Sequence, residues 1–395
     1  MKAIIAGGGT GGHLFPAIAL AEELRSRLPD LSLLFVGAQG GVEASLLAKR
    51  GWEFEEIRTS GLKGKALSQR LRGLELIPSS LIRSRSILRR FRPDVVVGFG
   101  GYASASIVLA GAVAGIPTVI HEQNAFPGLT NRWLGTIVDH VAVAFEGVSG
   151  FFPKGKVRVT GNPIRTELFG VDRAEAMARF DFDPHRLTVL IFGGSQGAHR
   201  LNQAVLEALP LLESERGQVQ FLHATGLRDL GPVRQGYITG GHRAVVEPFF
   251  WEMAVAYAAA DLCLCRAGAT TVAELCALGK PSILVPFPFA ANDHQRWNAE
   301  ALVASGGARM VQDRGLNGEA VAGIVKALLR DRDGLHAMAG RAKSLARPDA
   351  AARLADLVVL AACQVPGAKF RVDNPEGGSV KWNLQLGTWN CEEHV

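Results

Sequence analysis

The chain has 395 residues, 48% of them hydrophobic and 20% charged, which is enough apolar surface to offset the entropy of ordering and excludes a disordered chain. Its length suits two domains rather than a single core. Lys and Arg outnumber Asp and Glu by 43 to 37, for a formal charge of +6, and the 46 glycines make up about 12% of the chain against a usual share of about 7%. That charge leaves nucleic acid, acidic lipid and phosphorylated ligands all open as partners.

From the N-terminus, short Val/Ile/Leu runs alternate with longer amphipathic stretches. The first apolar run, 3–6, is too short for the core of a signal peptide, so a cytoplasmic location is expected. Strands are predicted at 2–6, 32–36, 54–57, 95–97, 118–121, 140–144 and 157–160, with helical spacing between them, as over 16–28. Residues 98–120 carry no charge over a length that would span a bilayer. Five glycines and Pro117 divide that stretch into a strand end, a small-residue helix at 103–114 and another strand, so no transmembrane segment is predicted. Gly161-Asn162-Pro163 reads as a hinge. The pattern then restarts, with strands at 188–192, 220–223, 244–246, 262–264 and 282–285.

Such alternation predicts an α/β protein of two doubly wound parallel sheets. The domains are placed at 1–160 and 161–347, followed by a C-terminal helix at 348–363 that either closes the second domain or packs back on the first, and a tail at 364–395 with no chemistry assigned. Residues 3–13 and 187–199 repeat one pattern of strand, glycine turn and helix start. Ligands of open α/β sheets bind at the carboxyl ends of strands, so the two turns are expected to face each other across a cleft. The five cysteines show no C-x-x-C pair, so a disulfide framework and a zinc site are both disfavoured and a reducing compartment fits.

Several segments carry candidate chemistry. The turn GGGTGGH at 7–13 matches G-x-G-x-x-G, yet the next strand runs into Gly37-Ala38-Gln39 rather than the acid that would hold a nicotinamide ribose, and no Walker Lys follows. His13 at the mouth of this turn is either a proton acceptor or a brace for the glycine loop. His121-Glu122-Gln123-Asn124 directly follows an apolar strand, as ligand-contacting residues do and as a solvated loop also does. Residues 266–274 open a helix whose N-H groups and hydroxyls suit a diphosphate. Glu274, one turn in, suits a ribose diol or a capping box equally. Asn292-Asp293-His294-Gln295 forms another carboxyl-end loop rich in groups that bond sugar hydroxyls, and Arg165 past the hinge either reaches a cleft or is a surface charge.

Residues 63–92 hold nine Lys/Arg and one acid, a local +8 that leaves −2 for the rest of the chain. Apolar residues interleaved with arginines and without an aromatic platform suit an anionic membrane surface better than single-stranded nucleic acid. A core-facing helix with a solvated basic back is the alternative.

In order along the chain, GGGTGGH with Pro16, Gly100-Gly101-Tyr102-Ala103-Ser104, His121 to Asn124 with Asn131, Gly161-Asn162-Pro163-Ile164-Arg165, GGSQGA at 193–198 with Asn202, 266–274 and Asp293-His294-Gln295 are similar to one family. Over residues 2–362 the chain resembles the peptidoglycan N-acetylglucosaminyltransferases that convert lipid I to lipid II, GT-B glycosyltransferases of the family 28 type. The resemblance implies two Rossmann-like domains facing each other across a deep cleft, and an inverting transfer of GlcNAc from UDP-GlcNAc to the MurNAc C4 hydroxyl of lipid I. It implies a donor site of Thr10, Gly11, Gly12, Asn124, Arg165, Ser195, the main chain near Phe250, Ala269, Thr270, Thr271, Val272, Glu274 on the ribose and Gln295. Gly9, Tyr102 and Asn131 would serve the acceptor, with His13 as the base and Glu122 in reserve. No metal or other cofactor is implied. Arg72, Leu76, Ile77, Leu81, Arg85 and Arg89 would form a patch on the anionic inner-membrane surface, placing the protein peripherally on the cytoplasmic face of the cell membrane. Other cell-wall or division proteins are further expected partners, and nucleic acid is not. The rival reading is another GT-B enzyme, a diacylglycerol glycosyltransferase or a UDP-GlcNAc 2-epimerase. The tail beyond 365 departs from the family pattern.

Overall fold

The computed structural model describes residues 1–8, 11–40, 43–58, 67–194, 196–364, 371–373, 379–385 and 388–392; side chains at 43, 45, 67–77 and beyond 364 lie outside the description. The chain forms two compact units. One comprises Met1–Gln123, Pro127–Ile164 and Asp349–Val395, the other Asn124–Phe126 and Arg165–Pro348.

Unit 1 runs β1 (Lys2–Ala6), α1 (Gly11–Arg27), β2 (Ser32–Ala38), α2 (Glu43–Lys49), β3 (Glu53–Ile57), α3 (Leu67–Phe91), β4 (Val95–Gly98), α4 (Tyr102–Val113), β5 (Thr118–Glu122), α5 (Leu129–Ile137), β6 (His140–Val143) and β7 (Val157–Val159). Its seven strands are parallel in the order β3-β2-β1-β4-β5-β6-β7. Side chains alternate across the sheet, as a two-residue period requires. Ala3, Ile5, Val95 and Val97 therefore join one core with Leu14, Ile18 and Leu24 of α1. Ile4, Ala6, Val96 and Ile120 join a second core with Ile107 of α4 and Leu134 of α5. The uncharged segment 98–120 thus lies as the end of β4, the twelve-residue α4 and the start of β5. No helix among the described residues is long and apolar enough to cross a membrane.

Unit 2 repeats the plan with α6 (Arg173–Arg179), β8 (Leu187–Phe192), α7 (His199–Leu211), β9 (Val219–Ala224), α8 (Leu230–Gly240), β10 (Ala244–Glu247), α9 (Met253–Ala259), β11 (Leu262–Cys265), α10 (Ala269–Leu278), β12 (Ser282–Leu284), α11 (His294–Ala304), β13 (Ala308–Met310), α12 (Gly318–Arg330) and α13 (Arg332–Ser344). The strand order is β10-β9-β8-β11-β12-β13, again parallel. The shared device extends to single side chains. Asp94, ahead of β4, accepts the N–H of Lys2 on β1 at 2.7 Å, and Asp261, ahead of β11, accepts that of Thr188 on β8 at 2.8 Å.

The last long helix, α14 (Ala350–Cys363), returns to unit 1 and packs on α1, burying Leu354, Val358 and Ala361 at helical spacing. Each fully buried aliphatic side chain contributes about 1.5–3 kcal/mol. Strands β14 (Arg371–Asp373), β15 (Ser379–Gln385) and β16 (Thr388–Glu392) form an antiparallel sheet of their own.

The start of α1 and the presence of β13 differ most from the sequence reading. Helix α1 begins at Gly11, five residues before the predicted start at 16, with Pro16 inside it. The glycines read as turn, yet a first helical turn leaves its N–H groups unbonded in any case and tolerates them. Strand β13 was not predicted, because three residues behind Gly306-Gly307 carry too short a pattern.

Candidate active site

In both sheets the chain order reverses between the first strand and its far neighbour, β1 beside β4 and β8 beside β11, and ligands of such folds bind at the carboxyl ends of that pair. In unit 1 the register pairs Ala6 with Gly98, so the loops after β1 and β4 emerge side by side. They are built to touch. Gly101, at φ 87°, lies where an added Cβ would stand 3.0 Å from the Gly8 carbonyl oxygen. Gly100, at φ 103°, lies under the His13 ring, where a Cβ would come within 2.9 Å of Cε1. L side chains rarely adopt such backbone, so both positions require glycine. Part of the glycine excess therefore seats a histidine and interlocks two loops. Gly9 and Thr10 lie outside the described residues, while Gly11 and Gly12 open α1.

His13 is half-buried in the first turn of α1, and its Nδ1 lies 3.2 Å from Gln123 Oε1. Gln123 is buried, and its Nε2 donates to the Phe99 carbonyl at 2.9 Å and contacts His121 Nδ1 and the His121 carbonyl, each at 3.1 Å. His121 Nε2 in turn meets the Gly161 carbonyl at 2.9 Å. Burial pushes the pKa of His121 down to about 4, overriding the hydrogen bond to Gly161 that favours its charged form. His121 is thus a neutral ring at physiological pH.

Glu122, the reserve base, is buried, with Oε2 accepting from the Gly128 N–H at 3.1 Å and from Asn131 Nδ2 at 2.9 Å. Its carboxylate braces the loop into α5. Asn131 is buried beside it and also donates to the His121 carbonyl at 3.3 Å; its Oδ1 has no hydrogen-bond partner among the described residues. Tyr102, first in α4, is exposed.

In unit 2, Phe192 pairs with Cys265 at the corresponding place, and Ser195 of the following turn lies outside the described residues. An added Cβ on Gly197 would collide with the Thr225 carbonyl, and one on Gly226 with that of Gln196. Behind this joint, Asn202 Nδ2 donates to the Thr225 carbonyl and to Asp229, each at 2.8 Å, while its Oδ1 lies 3.0 Å from His223 Nε2. The Tyr237 hydroxyl is 3.1 Å from His223 Nδ1, and burial pushes the pKa of His223 down to about 3.

Helix α10 starts at Ala269 behind Gly268, which supplies no capping side chain. The side chains of Ala269, Thr270 and Val272 are buried and that of Thr271 is half-buried, so a ligand here meets mainly their backbone. Glu274 is the sixth residue of the helix, which removes the capping-box reading. Its Oε1 accepts from Arg165 at 3.3 Å and its Oε2 from the Tyr257 hydroxyl at 3.0 Å. Burial raises its pKa against the opposing pull of Arg165 and Tyr257. Arg165 is itself buried and also pairs with Glu167 at 2.9 Å, so it is no surface charge. The Phe250 ring is buried edge-on against Phe180, which leaves only its main chain to face a ligand.

Asn298 carried no signal in the sequence. It is fully buried on α11, and its Oδ1 accepts the Ala125 N–H at 2.7 Å while its Nδ2 donates to Asn124 Oδ1 and the Ala267 carbonyl, each at 3.2 Å. With the stacked Phe126–Trp297 pair it holds the Asn124–Phe126 segment in unit 2. Gln295, on the same helix, accepts the Phe287 N–H at 2.9 Å, leaving its amide N–H groups to point elsewhere.

On α3, Arg85, Arg89 and Ile82 are exposed, whereas Leu81 is half-buried. Ile82, next to the predicted Leu81, is thus an exposed apolar side chain on the described part of this helix. Arg83 and Arg90 are paired with Glu55 of β3. The side chains of Arg72, Leu76 and Ile77 lie outside the description. No cluster of three or more His, Cys, Asp or Glu able to hold a metal occurs among the described residues. Burial pushes the Cys263 and Cys276 thiols up to about 12, so neither is a nucleophile at neutral pH.

Comparison with known proteins places this geometry. An N-acetylmuramyl-(pentapeptide) pyrophosphoryl-undecaprenol N-acetylglucosamine transferase of Myxococcus xanthus, named as using UDP-N-acetylglucosamine, is 47% identical over 375 residues, 95% of this chain and 97% of that protein. The crystal structure of Acinetobacter baumannii MurG aligns with a TM-score of 0.70 at 29% identity over 91% of this chain and 99% of that one. A UDP-GlcNAc 2-epimerase from Neisseria meningitidis aligns at 0.64 over 91% of this chain and all (100%) of that one, but at 13% identity, a likeness of fold alone. The paired Rossmann-like units are those of the GT-B class. The model described as the glycosyltransferase family 28 N-terminal domain matches residues 3–143 and that of the C-terminal domain matches 188–354. The chain belongs to glycosyltransferase family 28.

Proposed function

We propose that this protein transfers GlcNAc from UDP-GlcNAc to the C4 hydroxyl of MurNAc in undecaprenyl-pyrophosphoryl-MurNAc-pentapeptide, lipid I, forming the β-1,4 bond of lipid II with inversion and releasing UDP. The observation that carries this reading is the 47% identity to a transferase of that name over 95% of the chain. The geometry supports it from both units.

The donor belongs to unit 2. Its diphosphate meets the N-terminal turn of α10, where the helix dipole and backbone N–H groups favour negative charge, and the ribose meets Glu274. Tyr257 and Arg165 hold that carboxylate in place beforehand, so little rotamer entropy remains to be lost on binding. Asn298 sets Asn124, and Phe287 sets Gln295, for the sugar. The acceptor belongs to unit 1, at the loops after β1 and β4 with Tyr102 and Asn131. His13 takes the proton of the C4 hydroxyl as its oxygen attacks C1 of GlcNAc from the face opposite the diphosphate. The C1–O bond to the β-phosphate breaks and UDP leaves, its charge held by α10.

The direct experiment is transfer of radiolabelled GlcNAc to a lipid I analogue. Label is expected in the lipid product, with UDP released in equal amount and only when the analogue is present. Release of UDP without the acceptor, or no labelled lipid, contradicts the proposal.

The same reading puts the protein on the cytoplasmic face of the cell membrane. Ile82 flanked by Arg85 and Arg89 on α3 supports it, since basic residues around an apolar point favour anionic lipid. Sedimentation with anionic vesicles is expected to weaken with added salt and on Arg85→Glu with Arg89→Glu. Partitioning unchanged by both removes this surface from membrane binding.

A further inference from the structure

We propose that Gln123 is a positioning residue that fixes the tautomer of His13, so that the ring keeps its proton on Nδ1 and presents the lone pair of Nε2 to the acceptor hydroxyl. This deepens the transferase reading and rests on His13 as its base.

The assignment follows from donors and acceptors alone. The Gly161 carbonyl can only accept, so the His121 nitrogen 2.9 Å away, Nε2, carries the proton. The ring is neutral, so its Nδ1 is an acceptor, matching the Gln123 Nε2 at 3.1 Å. The Phe99 carbonyl, 2.9 Å from the same Nε2, can also only accept. Two fixed carbonyls and one ring nitrogen therefore hold the Gln123 amide with its N–H groups inward and its Oε1 toward His13, 3.2 Å from Nδ1. An amide oxygen cannot donate, so Nδ1 of His13 must, and the lone pair falls to Nε2. A flipped Gln123 would set its NH₂ against His13 and its oxygen against two carbonyls, each 2.9–3.1 Å away and buried. The chain is anchored on four elements, α1 at His13, the end of β4 at Phe99, β5 at His121 and the end of β7 at Gly161, with Gly100 against the His13 ring. Of the ionisable groups beside this chain, His121 is neutral, and Glu122 is turned to Asn131 and Gly128. A His–Gln–His chain thus plays the orienting part that a carboxylate plays in hydrolytic triads, without adding a charge next to the base.

The test is the tautomer itself, read in the full-length protein labelled with ¹⁵N-histidine, with the His13 signals identified by their loss in His13→Gln. Wild type is expected to show the Nδ1–H form. In Gln123→Met the proton is expected to shift to Nε2, with kcat falling about 10–100-fold and the KM for UDP-GlcNAc staying within about two-fold. Gln123→Glu keeps an oxygen facing His13 and sets its second oxygen against the Phe99 and His121 carbonyls, which favour a proton there, so it is expected to retain the Nδ1–H form of His13 and leave the acid limb of the rate profile in place. A wild-type ring protonated on Nε2 overturns the proposal, as does a Gln123→Met variant with unchanged tautomer and kcat. The underlying reading fails separately: near-normal turnover by His13→Ala removes His13 as the base whatever the tautomer measured.

Discussion

The two units share strand order, glycine joints and even a strand-capping aspartate, yet a neutral amide meets the outermost histidine in one and a carboxylate in the other. In unit 2 the chain through Tyr237, His223 and Asn202 reaches Asp229, whose carboxylate holds the exposed His199 at the start of α7 at 2.9 Å, and Glu274 is held from two sides. In unit 1 the chain from Gly161 through His121 and Gln123 runs outward to a half-buried ring at the mouth of a glycine turn. On the proposed reading one scaffold carries two tasks: a rigid grip on a nucleotide sugar and an oriented group that can move a proton. Identical topology does not say which unit does which, because the difference lies in the side chains it carries, Gln123 beside His13 and Asp229 beside His199.

The sharpest way to break this comparison is at the outward end. His13→Ala is expected to lower kcat about 10²–10⁴-fold while leaving UDP binding intact, the range of a lost general base. A shared property of the two interiors gives the next largest effect. An unfolded chain binds a proton at each histidine near pH 6.5, whereas folded His121 does so near 4 and His223 near 3. The unfolded state therefore holds more protons below pH 6.5, and stability is lost as pH falls through that value. Between pH 7.5 and 5 each ring is expected to cost about 2 kcal/mol, measured by urea unfolding at the two pH values. Equal stability at both would mean that the rings are not buried neutral. The smallest effect tests the grip: Tyr257→Phe removes one hydrogen bond to Glu274 and is expected to raise the KM for UDP-GlcNAc about five-fold with kcat kept.

The sheets were legible because parallel strands covered on both faces read as short apolar runs, and the repeat of 3–13 in 187–199 marked both first turns. His13, Glu274 and the segment 121–124 were legible as candidates from their places at strand ends. Their partners were not. Gln123 is held by Phe99 and His121 by Gly161, both distant in sequence, and Asn298 inside a helix has no local feature that tells it from any polar helical residue. Local sequence also does not show that Asn131 and Gly128 donate to the carboxylate of Glu122, the reserve base. Leu81 is half-buried and Ile82 exposed, a difference of one residue or about 100° around the helix axis that the sequence pattern does not resolve. The glycine excess is used in part at Gly100 and Gly101, whose close neighbours are His13 and the Gly8 carbonyl.

The division of labour is tested most directly by measuring kcat and the KM for UDP-GlcNAc side by side for His13→Ala and Tyr257→Phe in the lipid I transfer assay. The account predicts that the first variant loses kcat at nearly constant KM and the second loses KM at nearly constant kcat. Both variants changing kcat and KM together, or His13→Ala turning over at the wild-type rate, would contradict it.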